Sequence, residues 1–166
     1  MNSGPHRLTK AMTWTLEERV EATWVRLSGA VTGQADFETL LAQLGPGPVI
    51  VDLSGVTRLN SIGIRHWVDF ATRLCRGRRV ELRDCSPAFV EQLMLIEHMQ
   101  GNTEIRSIQL PFSCEACDHG YDQTLAITEL TELPSTTPCP RCATPSELDD
   151  LPERYVPLLH RLSKER

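Results

Sequence analysis

Apolar residues over the first 110 positions recur in blocks whose spacing switches between every second residue and about every 3.6 residues, which predicts strands alternating with helices. In Ala22 to Ala30, Val25 and Leu27 fall on one side and Arg26 and Ser28 on the other, the pattern of a half-buried strand. Thr13 to Arg19 can pair with it as a short first strand. Phe37, Leu40, Leu41 and Leu44 then share one helical face, with Asp36 placed to cap that helix and Gly45-Pro46-Gly47-Pro48 to stop it. Val49 to Leu53 is apolar and mostly β-branched except for Asp52. It suits a central strand covered on both faces, which Ser54-Gly55 is expected to break. From Ile64 onward, Ile64, Trp67, Val68, Ala71, Leu74 and Cys75 mark the buried face of a second helix. Asn60 and Ser61 are both good N-cap residues for it, and Gly63 permits close approach to its first turn. Arg79 to Asp84 reads as a strand with Val80 and Leu82 inward. Ser86-Pro87 opens a third helix carrying Phe89, Val90, Leu93, Met94 and Ile96, which Gly101 ends, and a last strand is expected over Thr103 to Leu110.

Such an alternation implies an α/β fold, a mixed and mostly parallel sheet covered by helices. The pattern stops near residue 110, and the division expected is a domain over 13–110 and a second region over 111–166. In the second region Cys114-Glu-Ala-Cys117 and Cys139-Pro-Arg-Cys142 form two C-x-x-C pairs, the spacing of a zinc ribbon in which four thiolates hold Zn²⁺ tetrahedrally. Two cysteines three apart put both sulfurs on one side of a tight turn. The run Tyr121 to Leu130 between the pairs is strand-like, as for the hairpin joining two knuckles, and His119 reads as a loop residue. Four ligands leave no open position, so the expected role of the metal is structural, in a small appendage with too little apolar content to fold alone. A redox C-x-x-C and structural disulfides fit less well, because two such pairs occur and a cytosolic setting disfavours disulfides. Cys75 and Cys85 stand apart and read as buried, inert thiols.

Charge sharpens the division. Residues 1–110 carry 12 acidic and 12 basic side chains, whereas residues 111–166 carry 10 acidic and 5 basic, so the net −5 lies wholly in the C-terminal region. That argues against nucleic acid as its partner, since phosphate binding needs clustered Lys and Arg. Aromatic residues, 5% of the chain, are too few for a single-strand stacking platform. No run approaches the roughly 18 apolar residues of a membrane span, and Met1 to Met12 lacks the apolar core of a signal peptide, so a cytoplasmic protein with no membrane partner is expected. Arg73, Arg76, Arg78, Arg79 and Arg83 form a dense basic group, either a solvated helix end or a surface for an acidic partner. Ser146 to Leu162 begins with a capping pattern and ends in apolar residues, as a short helix on the ribbon or a docking segment.

The segment from Pro48 to Cys75 resembles the centre of a STAS domain, the sulfate-transporter and anti-sigma-factor-antagonist module. There an apolar strand ends in Asp-Leu and, after a short loop, Asp-Ser-x-Gly opens a helix. The matching residues are Asp52-Leu53 and Asn60-Ser61-Ile62-Gly63, with Asn60 where the family usually has Asp. The resemblance covers about residues 13 to 110 and implies a STAS-like mixed sheet covered by helices. It further implies a non-enzymatic regulatory module in a partner-switching pathway, its Ser61 phosphorylated by a serine kinase of the anti-sigma type and restored by an opposing phosphatase. Asn60, Ser61, Ile62, Gly63, Ile64 and Arg65 would be the docking surface. Ser54 and Thr57 are weaker candidates for the same modification, and Asp52 reads as a strand-end residue bonded to the following loop. No Gly-rich phosphate loop, G-x-S-x-G elbow or H-E-x-x-H occurs. The alternative is a constitutive scaffold or oligomerisation protein without a phospho-switch, using the zinc ribbon to recognise its partner; the sequence leaves the oligomeric state open.

Overall fold

The structure, a computed structural model, describes residues 10–130 and 132–164; Met1 to Thr9, part of the segment read above as lacking a signal peptide, lie outside the described residues. The first sheet contains β1 (Thr13–Glu18), β2 (Thr23–Val31), β3 (Val49–Leu59), β4 (Val80–Arg83) and β5 (Glu104–Ile105), side by side in that order. β1 is antiparallel to β2, joined by a tight turn, and the remaining neighbours are parallel. Parallel neighbours require crossovers, supplied here by α1 (Phe37–Gln43), α2 (Ser61–Leu74) and α3 (Pro87–Leu95). Asp36 caps α1 through Thr39 N–H at 3.0 Å, and Ser86 caps α3 through Phe89 N–H at 3.3 Å. α3 ends at Leu95 and a short 3₁₀ turn follows, so Gly101, at φ 58°, closes that turn and not the helix.

The helices cover one face. Val25, Leu27, Val51, Leu53, Leu82 and Ile105 are buried beneath them. The rings of Phe37, Trp67, Phe70 and Phe89 meet there at centroid distances from 4.6 to 6.1 Å, and Trp67 Nε1–H donates to the Met99 carbonyl at 2.9 Å. The opposite face carries charged groups, yet Ile50 is buried there between Trp24 and Glu81 of the neighbouring strands, so the apolar residues of Val49 to Leu53 are covered on both faces as expected and Asp52 is half-buried. Glu81 there accepts from Arg83 at 3.0 Å and Arg106 at 3.3 Å and pairs with Arg79 at 3.0 Å. The Trp24 ring lies between the guanidinium groups of Arg19 and Arg83, at 4.3 and 5.1 Å. The basic group read from sequence is thereby dispersed. Arg73 pairs with Glu38 and Asp69, Arg78 donates to the Gly45 carbonyl, Arg79 pairs with Glu81 and Glu104, and Arg83 pairs with Glu81. Of the five, Arg76 alone lacks a side-chain partner among the described residues.

β3 does not stop at Ser54-Gly55. It runs on to Leu59 with two register shifts against β2, because a bulge absorbs the irregularity and Gly55 lets the chains close up. A Cβ on Gly55 would lie 2.6 Å from the Leu27 carbonyl oxygen. The last expected strand also differs. Thr103 to Leu110 divides into β5 and β6 (Ser107–Cys114), and β6 enters a second, antiparallel sheet with β7 (His119–Ala126), β8 (Thr136–Pro138) and β9 (Pro145–Leu148), ordered β7-β6-β9-β8. The expected division at residues 110 and 111 therefore falls inside β6. His119 is the first residue of β7, opposite Cys114, and not a loop residue. Ser146, expected to begin a capped helix, is buried in β9 opposite Thr137. After a 3₁₀ turn at Pro152–Tyr155 comes α4 (Val156–Lys164). Leu158 and Leu162 share the apolar cluster of Phe89 and Leu93, and Arg161 donates to the Leu93 carbonyl at 2.7 Å, so this helix packs on α3. One core thus joins the two sheets.

The tightest backbone approach is at Gly63, where a Cβ would sit 2.0 Å from the Val31 carbonyl oxygen. Alanine ordinarily favours a helix over glycine, but here it must push α2 off the end of β2. Gly63→Ala is expected to lower stability by about 3 kcal/mol, while Gly45→Ala, with open space around it, leaves it nearly unchanged. Urea unfolding of the two variants checks this, and equal midpoints would refute the contact.

Candidate functional site

Two places gather chemistry. The first is the start of α2, beyond the end of β3. Asn60 has extended backbone (φ −108°, ψ 172°), and its Oδ1 accepts the Gly63 N–H at 2.8 Å while its own N–H donates to the Val31 carbonyl at 3.2 Å. Asn60 is thus the cap, and Ser61, one of the two cap candidates, is instead the first helical residue. Its side chain is exposed and makes no hydrogen bond among the described residues. Ile62 is 56% exposed, large for an isoleucine. Gly63 is buried against β2, Ile64 is half-buried, and Arg65 is exposed one turn beyond Ser61. A cleft of 370 Å³ adjoins this turn, lined by Thr32, Gly33, Gln34, Arg58 and Asn60 among others. Asp52 accepts the Ser54 N–H at 2.9 Å and faces Arg26 at 3.8 Å, but because β3 continues to Leu59 it lies within the strand and not at the strand end expected of it.

The second place is the cysteine cluster. The sulfurs of Cys114, Cys117, Cys139 and Cys142 all lie within 4.8 Å of one another. Cys114 and Cys142 approach to 3.5 Å, and Cys117 and Cys139 to 3.7 Å. In a tetrahedral thiolate site with metal–sulfur bonds near 2.3 Å, sulfurs stand about 3.8 Å apart, so the four fit one metal ion. Local backbone explains how the sequence achieves this. Each pair is followed by a residue of positive φ, Asp118 at 51° and Ala143 at 62°, which turns the chain back on itself. On the second turn Ala143 N–H donates to the Cys139 carbonyl at 2.9 Å and Arg141 N–H to the Cys139 sulfur at 3.4 Å.

These turns also set the thiols' acidities. The Thr144 hydroxyl, and next its backbone N–H, hold Cys142 down to about 6. Burial works against ionising Cys139, but the N–H groups of Arg141 and Cys142 bring it below its ordinary value. Burial, then hydrogen bonding among the neighbouring thiols, pushes Cys117 up to about 12. The two outlying cysteines behave otherwise. Burial raises both Cys75 and the fully buried Cys85, which suits inert thiols. The support from Thr144 went unread in the sequence, although its place two residues after Cys142 is the position from which a turn can reach that sulfur.

Fold and site together describe a mixed α/β domain that presents a capped, solvent-facing helix start, fused through β6 to a four-cysteine ribbon able to hold a metal. Among solved structures the chain is similar to a crystal structure of an anti-sigma factor antagonist from Mycobacterium paratuberculosis. Identity is 21%, the match covers 57% of this chain and 85% of that one, and the TM-score is 0.43. No protein-family model and no curated protein matches the chain. Among the described residues no helix is long and apolar enough to cross a membrane.

Because Asn60 supplies the cap and Ser61 does not, the two residues separate by mutation. Asn60→Ala is expected to cost about 1 kcal/mol and Asn60→Asp almost nothing, while Ser61→Ala stays within about 0.5 kcal/mol of the parent. Thermal or urea unfolding measures all three; a large loss from Ser61→Ala would mean that the hydroxyl, and not the amide, closes the helix.

Proposed function

We propose that the chain is a regulatory protein-binding module of the anti-sigma-factor-antagonist type, docking its partner on Asn60 to Arg65 and switched by phosphorylation of Ser61. The observation that carries this reading is the division of labour at the start of α2. Asn60 does the capping, so the Ser61 hydroxyl is exposed and unengaged, flanked by the exposed Ile62 on a backbone pinned to β2. A modifying enzyme can reach that oxygen without unwinding the helix. Asn in place of Asp preserves the cap and removes a negative charge beside the serine.

The expected partners are a serine kinase of the anti-sigma type and an opposing phosphatase. The kinase transfers the γ-phosphoryl group of ATP to Ser61 Oγ, whose proton passes to the kinase's base as ADP leaves. The phosphatase returns that group to water as inorganic phosphate. A phosphate adds nearly two negative charges where the positive end of the helix dipole tolerates them. The unmodified surface, with Ile62 at its centre, is the binding-competent one. Partners captured from cell extract with wild type, Ser61→Ala and Ser61→Glu should differ, Ser61→Glu losing a partner that the other two keep, and phosphoserine should be found at residue 61 by mass spectrometry. Identical partners for all three with no phosphate would end the reading of Ser61 as a switch.

The metal in this reading is Zn²⁺, held by Cys114, Cys117, Cys139 and Cys142. Bound zinc supplies cross-linking free energy, of order 10 kcal/mol in small zinc peptides, and four thiolates leave no place for a reactive water. Its role is to fix the ends of β6 and β7 and the turn before β9. Protein purified without chelators should carry about one zinc per chain, and Cys117→Ser should lose most of it; less than about half an equivalent in the parent, by elemental mass spectrometry, would count against zinc.

A further inference from the structure

The arginines around Ser61 differ from most of those elsewhere in the first sheet's domain, Arg76 and Arg78 being the others that face no carboxylate among the described residues. Arg19, Arg26, Arg73, Arg79, Arg83 and Arg106 each face a carboxylate. Arg58 and Arg65 have no ion pair and no side-chain hydrogen bond among the described residues, and both flank Ser61. Arg65 is at i+4 on α2, where side chains are neighbours about 5 to 6 Å apart at Cβ. The carboxylate at the next i+4 position, Asp69, is turned to Arg73 at 3.5 Å. Arg58 leaves the end of β3 three residues before Ser61 and lines the cleft beside Asn60, whose walls, Thr32, Gly33 and Gln34 among them, include no carboxylate. Two uncommitted arginines, one a helical turn after Ser61 and one three residues before it, and a cleft without a carboxylate beside its neighbour Asn60 thus lie along the chain on either side of the exposed hydroxyl. Arg76, also unpaired, stands just beyond the opposite end of α2.

We infer that a phosphate on Ser61 is held by the chain's own Arg58 and Arg65, so that phosphorylation both adds charge and withdraws these two arginines from the docking surface. The inference rests on Ser61 being the modified residue. Guanidinium groups suit this task because they donate two parallel hydrogen bonds to phosphate oxygens. In the unmodified chain this region offers the exposed Ile62 together with two free cations, which fits a partner whose contact surface combines apolar and acidic groups. Once phosphorylated, the two guanidinium charges balance the phosphate's nearly two negative charges and the acidic partner loses its attraction.

The test places phosphoserine at residue 61 of the full chain during synthesis, so that it needs no kinase, and follows the phosphate by ³¹P NMR across pH. Phosphoserine in an unstructured peptide has a second pKa near 6. In the folded chain it should fall lower by about half a unit or more, because nearby cations favour the dianion. Arg65→Gln and Arg58→Gln should each move it back up, the double variant most, while Arg76→Gln leaves it unchanged. A phosphate whose pKa is the same in the parent and in both flanking variants would overturn the inference, as would an equal response to Arg76→Gln. Absence of phosphoserine from protein made in cells would instead count against the modification itself, and the titration would still report on the clamp.

Discussion

The site depends on one close contact between backbones. The first turn of α2 rests on the carbonyl of Val31, where Gly63 leaves no room for a side chain and the Asn60 N–H donates to the same oxygen. That oxygen belongs to the end of a strand held on both sides in the sheet, so the position of Ser61 is inherited from the sheet and not from a loop. A segment carried on a loop would pay ordering entropy on being engaged; the start of α2 has already lost it during folding. Asn60 completes the arrangement by satisfying a helix N–H that would otherwise compete for the serine oxygen.

The second sheet is less of an appendage than its composition suggests. β6 begins beside β4, where Cys85 and Ile108 form a parallel bridge, and ends at Cys114 in the four-cysteine cluster. α4 then returns to α3 with Leu158, Leu162 and Arg161. A ribbon attached at two places to the core of the other sheet cannot tumble freely.

Most of the first sheet was legible from periodicity, because a half-buried strand and an amphipathic helix write different spacings into the chain. The four cysteines were legible for a similar reason: two three-residue spacings constrain sulfurs whatever lies between them. Other features were hidden by tertiary context. The bulge that carries β3 past Ser54-Gly55 depends on Leu27 and Ser28, which are distant in sequence. The arginines that looked like one patch are divided among Glu38, Asp69, Glu81 and the Gly45 carbonyl, a sorting that no local pattern encodes. The choice between Asn60 and Ser61 as cap could not be made from residue type, since both cap well. β5 and β6 were fused into one because Arg106, where the chain leaves one sheet for the other, is not a turn-forming residue.

The contrast between the two sheets has a kinetic side. In the first, parallel pairs such as Thr23 with Val49 and Val49 with Val80 can form only after a whole crossover has closed, so the entropy of long loops must be spent before contacts reward it. In the second, β6 and β7 are joined by a turn of four residues, Glu115 to Asp118, and pair from Cys114 with His119 outward. This hairpin and the antiparallel β1–β2 pair, whose turn from Arg19 to Ala22 is equally short, are therefore the strand pairs local enough to form on a microsecond scale. β6 carries Ile108 and Leu110 into the shared core, so this local hairpin also supplies apolar side chains against which the crossover-linked sheet packs.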